Sequence, residues 1–307
     1  MGRLKTLLAV TLLAAQTGCA STIKNMVADQ MVGTFNDVNN AALKGKDPQL
    51  VRDGMPGSIM ILDGLIEGVP EHAGLLKFGA MVNALYAFIF IEEEDPARAK
   101  IYYEKGKSYA LRSIRADHPD FDTELPYESF KAQLADFDAD EVDVLFWLEM
   151  SWASWINLSL TSPAAIADAA KVQALMEKTI ELDETFFNGG PQLLAGVYYG
   201  SRSEMFGGNR DKSHAHFERC FEITGGRFLM AYVFYARFPA IQWQEIDKFR
   251  EYLQKVIDAP DDILPQETVA NTMAKRKARV LLDDIGEYFD IEVPEDDEDA
   301  PSLDDAS

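Results

Sequence analysis

Apolar side chains recur along this chain at three- and four-residue intervals, and no credible series of alternating strands interrupts them. From Asp140 onward, Val144, Leu145, Leu148, Trp152, Trp155, Ile156 and Ser159 fall near i, i+3, i+4, i+7 spacing, which is one stripe of a helix. That stripe ends at Thr161-Ser162-Pro163, and Pro163 suits the first turn of the next helix, because an N–H there would lack a partner anyway. The following segment, 163–183, is rich in Ala, Lys, Glu and Leu, all good helix formers. Gly189-Gly190-Pro191, Gly207-Gly208-Asn209 and Gly225-Gly226 then break the pattern three times. Phe88-Ile89-Phe90-Ile91 is β-branched and aromatic, yet it continues a helical pattern running from Leu75 through Val82 and Leu85.

Breaks of this kind recur roughly every 16 to 25 residues, which predicts antiparallel helix pairs. Each pair then buries its apolar face by stacking on its neighbour. The predicted fold is all-α, an α-solenoid of degenerate tetratricopeptide-like helix pairs; a non-repeating helical bundle is the alternative. Gly196-x-x-Tyr199, followed by Phe217 and the small Cys220, marks one such pair, with its extra length absorbed in 205–210. Ala99, Tyr103 and Gly106 are a weaker echo.

Both termini read differently from this central region. Arg3 and Lys5 precede an apolar run of nine residues, Leu7 to Ala15, too short for the about 20 that span a bilayer but suited to a secretion signal. Gln16-Thr17-Gly18-Cys19 follows and resembles a bacterial lipoprotein signal, although that pattern prefers Leu at the place of Gln16. The expected division is a signal peptide over 1–18, a helical domain over 19–291 with Cys19 as the lipidated residue, and a tail over 292–307. An ordinary cleaved signal with Cys19 as bystander is the alternative. Ala20 and Ser21 lack the Asp that often retains lipoproteins at the inner membrane, which favours the periplasmic face of the outer membrane. No further stretch is expected to span. The tail (EVPEDDEDAPSLDDAS) carries eight acids, no base and two prolines; it repels itself, cannot bury apolar area, and reads as disordered.

The 307 residues include 29 Lys+Arg against 51 Asp+Glu, a net charge of −22. Such an excess argues against nucleic-acid binding, which needs clustered cations, and against polybasic attachment to anionic lipid. The two cysteines, Cys19 and Cys220, exclude a disulfide scaffold, and Cys220 is expected in the core. His214 and His216 lie two apart and point away from one another on a helix. Asp136-x-Asp138-x-Asp140 opens like a calcium loop, but Glu141 and Trp147 occupy the positions that require Gly and Glu, so helix capping explains the aspartates better. No metal, cofactor or catalytic set is expected, and the chain is not read as an enzyme.

Aromatic residues are abundant, with 18 Phe, 11 Tyr and 4 Trp. Trp147, Trp152 and Trp155 share one predicted helix, and Tyr198, Tyr199 and Phe206 another. Most should be core, with some free to line a groove for an apolar ligand or partner helix. Tyr199, Arg202, Phe206, Trp152 and Trp155 are the expected ligand- or pore-lining residues. Arg202 would pair with a ligand carboxylate or, the commoner arrangement, with a neighbouring Asp or Glu.

From Leu193 the chain resembles a known family. Leu193-Leu194-Ala195-Gly196-x-Tyr198-Tyr199-Gly200, Gly207-Gly208-Asn209 and Phe217-Glu218-Arg219 are similar to the T component of TRAP (tripartite ATP-independent) transporters. So are Tyr235-Ala236, Phe249-x-x-x-Leu253-x-x-Val256-Ile257 with Pro260, and Asn271-x-x-Ala274-x-x-Lys277-Ala278-x-x-Leu281-Leu282. These are packing motifs and contain no reaction chemistry. The resemblance implies a periplasmic lipoprotein of tetratricopeptide-like helix pairs, a homotrimer with a central pore, and engagement of a periplasmic solute-binding P component. It further implies that the protein holds or passes on a small hydrophobic molecule or fatty acid. The alternative function is an envelope adapter acting only through protein contacts.

Overall fold

The computed structural model describes residues 2–159 and 162–290, with side chains described from residue 22 onward. The described chain is all-α and contains no strand. Helix α1 spans Gly2–Leu43 and α2 spans Pro48–Gly68; α3 (Ala73–Tyr86) runs straight into a π-helical turn, Ala87–Ile91. Then come α4 (Pro96–Asp117), α5 (Tyr127–Gln133), α6 (Val142–Asn157), α7 (Pro163–Asp183), α8 (Phe186–Gly200) and α9 (Arg210–Thr224). Helix α10 (Met230–Tyr235) continues into a second π-helical turn, Ala236–Ala240, before α11 (Ile246–Asp258), α12 (Thr268–Asp283) and α13 (Ile285–Tyr288).

The helix ends lie where the local chemistry puts them. Pro48, Pro96 and Pro163 each open a helix, behind Asp47, Asp95 and Ser162, and the Asp47 and Asp95 carboxylates accept from free first-turn N–H groups. Gly225 and Gly226 end α9 with φ of 58° and 69°. Asp138 and Glu141 form a capping box before α6, which accounts for the aspartate run without a cation.

Consecutive helices pack as pairs, α3 on α4, α6 on α7, α8 on α9 and α11 on α12, and α4 also lies against α6. Close approach needs small residues at the crossings. A Cβ added at Gly196 of α8 would stand 2.7 Å from the Phe217 ring of α9, so the glycine is the slot that the buried ring fills. A Cβ at Gly106 of α4 would stand 2.7 Å from the Ser151 hydroxyl of α6. Ala99, Tyr103, Phe217 and Cys220 are all fully buried, as the repeat-like spacing predicts. Phe249, Leu253, Val256, Ala274 and Ala278 likewise seal α11 against α12. Asn271 ties down the start of α10: its Oδ1 accepts from the Leu229 N–H at 2.9 Å and its Nδ2 donates to the Arg227 carbonyl at 3.1 Å.

The two ends of the helical series meet, with α12 packed on both α1 and α2. Ala73–Ile91, with mean hydropathy 1.7, is long and apolar enough to cross a membrane by length and composition, which the sequence reading had not expected. However, 72% of it is buried, because it is the helix that α2, α4 and α6 enclose. Cys19 lies outside the described side chains, and the acidic tail from 291 lies outside the described residues.

If the glycine slots set the helix spacing, Gly196→Ala should lower stability by about 1–3 kcal/mol through overpacking against Phe217. Gly57→Ala, on an open face of α2 with nothing near its Cβ position, should be neutral or slightly stabilising. Thermal unfolding of the two variants provides the comparison, and equal melting temperatures would refute the slot.

Candidate ligand-binding site

The residues singled out from the sequence do not gather in one place. Trp152 is buried, with its indole N–H donating to Asp168 at 3.0 Å and the Lys107 ammonium 3.8 Å above its ring. Trp155, one turn further along α6, is half-buried and donates to Glu104 at 2.8 Å. Tyr199 is buried and stacks on His216 at 5.7 Å with nearly parallel rings. Arg202 is 5% exposed but has no carboxylate partner among the described residues. Its guanidinium lies 4.0 Å over the Tyr198 ring and donates to the Asn157 side-chain Oδ1 at 2.6 Å, so an aromatic face supplies the negative potential. Phe206 is not on the helix of Tyr198 and Tyr199, because α8 ends at Gly200; it sits on a separate 3₁₀ turn, 68% exposed beside the 85% exposed Met205. His214 and His216 diverge as expected, the first to Tyr235 and Glu245, the second to Gln192. Among the described residues no group of three or more His, Cys, Asp or Glu could hold a metal. Cys220 is core, its thiol pushed up to about 12 by burial.

The internal space lies elsewhere, where α3, α6, α8, α10 and α12 converge. A tight chamber of about 60 Å³ is walled by Leu85, Phe88, Phe146, Leu194, Phe228 and Phe234. Leu43, Leu85 and Ile89 are shared with a larger apolar cavity of about 380 Å³ between α1, α2 and α3. None of Trp152, Trp155, Tyr199, Arg202 and Phe206 lines either space.

Three irregular stretches of backbone shape this chamber and the mouth beside it. The π-helical turn Ala87–Ile91, closed by the Glu92 N–H on the Ala87 carbonyl at 2.8 Å, turns both Phe88 and Ile89 to the chamber wall. In the second π-helical turn, Pro239 lacks an N–H and would crowd a regular helix, so the wider turn accommodates it. Phe88 packs on Phe234 of α10 at 4.9 Å across the space. Inside α8, Phe187, Asn188 and Gly189 all adopt left-handed φ, 47°, 58° and 73°. This break sets the Phe187 ring in the wall and lets the Asn188 amide donate to Glu267 at 3.0 Å. Glu267, otherwise facing apolar groups, is held above its ordinary pKa by burial.

At one end Lys277 lines the chamber and also a wider, charged mouth of about 510 Å³. There Glu93, two residues beyond the first π turn, bridges Arg237 in the second π turn and Lys277 of α12, the latter at 2.5 Å. Arg52 of α2 pairs with Glu94 beside it. Sequence reading did not find these residues. The available signal was Glu92-Glu93-Glu94 directly after an apolar helix, and the cluster Lys275, Arg276, Lys277 and Arg279 in an acidic chain.

Stacked helix pairs around an apolar chamber give this all-α protein an interior suited to holding a ligand. The family model described as TRAP transporter T-component matches residues 44–289, and the chain belongs to that family. It is thus a TRAP transporter accessory component associated with the cell envelope, in a family of transport accessories rather than enzymes. It is also similar to an uncharacterized protein of Treponema pallidum (strain Nichols), 20% identical over 260 residues, 79% of this chain and 80% of that protein.

One buried acid makes a separate, pH-dependent contribution. Glu149 of α6 is fully buried, and burial pushes its carboxyl up to about 8 against the lowering effect of the Thr179 hydroxyl that donates to it. Because the folded-state pKa is raised, folding is favoured with the proton on, and that stability is lost as pH rises from about 4.5 through about 8. Glu149→Gln should flatten the pH profile, removing a loss on the order of 3–5 kcal/mol between pH 5 and 9. Urea unfolding at both pH values would reveal it; parallel profiles for the two proteins would contradict the assignment.

Proposed function

We propose that this chain is a lipid-anchored, periplasm-facing accessory of a TRAP transporter that engages a solute-binding P component and holds a hydrophobic ligand in its inner chamber. The observation that carries this reading is the chamber: apolar walls from five converging helices, with Glu267 and Lys277, its only charged liners among the described residues, held by Asn188 and Glu93. A protein serving only as a protein-contact adapter has no need to keep such space, since filling it would add stability. Family membership supports the transport setting. The secretion-type N-terminus with Cys19 supports anchoring at the envelope, and Ala20-Ser21 favours the outer membrane. A homotrimer is the assembly the resemblance implies. The ligand-wall residues assigned on this reading are Leu85, Phe88, Phe146, Leu194, Phe228 and Phe234, in place of those first expected from the sequence.

Two measurements test it. Native mass spectrometry of the full chain, alone and with solute-binding proteins of the same organism, should give a trimer that retains a small apolar molecule or captures one P component. A ligand-free monomer that ignores all of them would leave the adapter role instead. For the anchor, Cys19→Ser should abolish palmitate incorporation and release the chain from the membrane fraction; continued labelling would refute lipidation at Cys19.

A further inference from the structure

The charged mouth inverts the charge of the protein that carries it. On a chain of net charge −22, four cations (Arg52, Arg237, Arg276 and Lys277) line the mouth against two carboxylates, Glu93 and Glu94. Glu94 is taken up by Arg52, and Glu92 is turned onto the Tyr103 hydroxyl at 2.5 Å. What remains at the centre is Glu93 alone between Arg237 and Lys277, with Arg276 beside them. Lys277 is only 12% exposed at its side chain, and it lines both the mouth and the apolar chamber. A molecule whose head sits at the Lys277 ammonium can therefore direct a chain inward past Ile89, which also borders both spaces and the cavity under α1 and α2.

Glu93 shows what that head must be. It is a carboxylate held by two cations, and its own stem belongs to the segment following the first π turn rather than to the chamber wall. Glu93 is the most exposed member of the bridge, 38% at its side chain, and an incoming carboxylate would keep both cations paired while its apolar tail gains burial that Glu93 cannot offer. We propose that Arg237 and Lys277 form the head-group site for a carboxylate-bearing amphiphile, that Glu93 is the built-in occupant it displaces, and that this site makes the chamber selective for acids over neutral molecules with the same tail. The inference rests on the reading of the interior as a ligand chamber, and adds to it the residues and chemistry of selection. Positive focusing within an acidic surface also implies that the selectivity weakens with salt.

Matched tails separate the two ideas. Calorimetric titration of the purified, delipidated full chain at pH 8 with decanoate and with 1-decanol should give at least about tenfold tighter binding of decanoate. Glu93→Gln should strengthen decanoate several-fold and leave decanol unchanged. Arg237→Gln combined with Lys277→Gln should abolish the preference while decanol still binds, and retained decanol binding doubles as the check on folding. Should that double variant unfold, the Glu93→Gln comparison still decides. Equal binding of acid and alcohol in both the native and Glu93→Gln proteins would overturn the head-group site and leave the chamber standing. Binding of neither would overturn both.

Discussion

Close helix contact is the constraint from which most of this structure follows. Two helices can approach until side chains interpose, and at their crossings α8/α9 and α4/α6 the nearer helix presents a glycine, Gly196 or Gly106, to a group already buried on its partner. The Phe217 ring then lies in the helix interface rather than beside it, and the pair behaves as one thick element with a single apolar face. Such elements bury that face only by stacking, so large aromatics such as Tyr103, Trp152 and Tyr235 are consumed between helices and are fully buried or nearly so. The apolar groups that remain turned to the middle, where α12 returns toward α1 and α2, wall the chamber.

How much of this the sequence disclosed depends on the distance over which the information is spread. Helix ends were legible because caps and breakers act within four residues: Pro163 opens α7, and Gly225-Gly226 ends α9. The burial of Cys220 and the divergence of His214 from His216 follow from helical geometry alone. The family motifs could be read for the same reason, since residues such as Phe249 and Ala274 recur at packing intervals. The chamber wall could not be. Leu43, Phe88, Phe146, Phe187 and Phe234 lie on five separate segments, and along the sequence each looks like an ordinary core residue. Along the sequence, Tyr199, Arg202 and Phe206 stand closer together and look more like a ligand wall. In the structure they instead stack internally, as Arg202 on Tyr198, or stand in solvent, as Phe206. Ion pairs across the mouth are equally nonlocal: 144 positions separate Arg237 from Glu93.

Much of the irregular backbone borders the internal space, although the exposed Gln244, with φ of 55°, lies away from it. Two π turns and a left-handed break all contribute residues to the chamber or its mouth, and each departs from the geometry its neighbours would adopt on propensity alone. The outer helices α7, α9 and α11, by contrast, are regular throughout.

Each π turn holds one residue more than the α-helical turn it replaces, so the chain gains a phase shift of about 100° at Ile91 and again at Ala240. Glu93, just past the first turn, and Arg237, inside the second, pair across the mouth. The mouth thus stands where two otherwise helical stretches each take up one extra residue. Relatives about as distant as 20% identity should therefore be aligned with one-residue gaps allowed at the π turns after α3 and α10, where helical periodicity alone would forbid them.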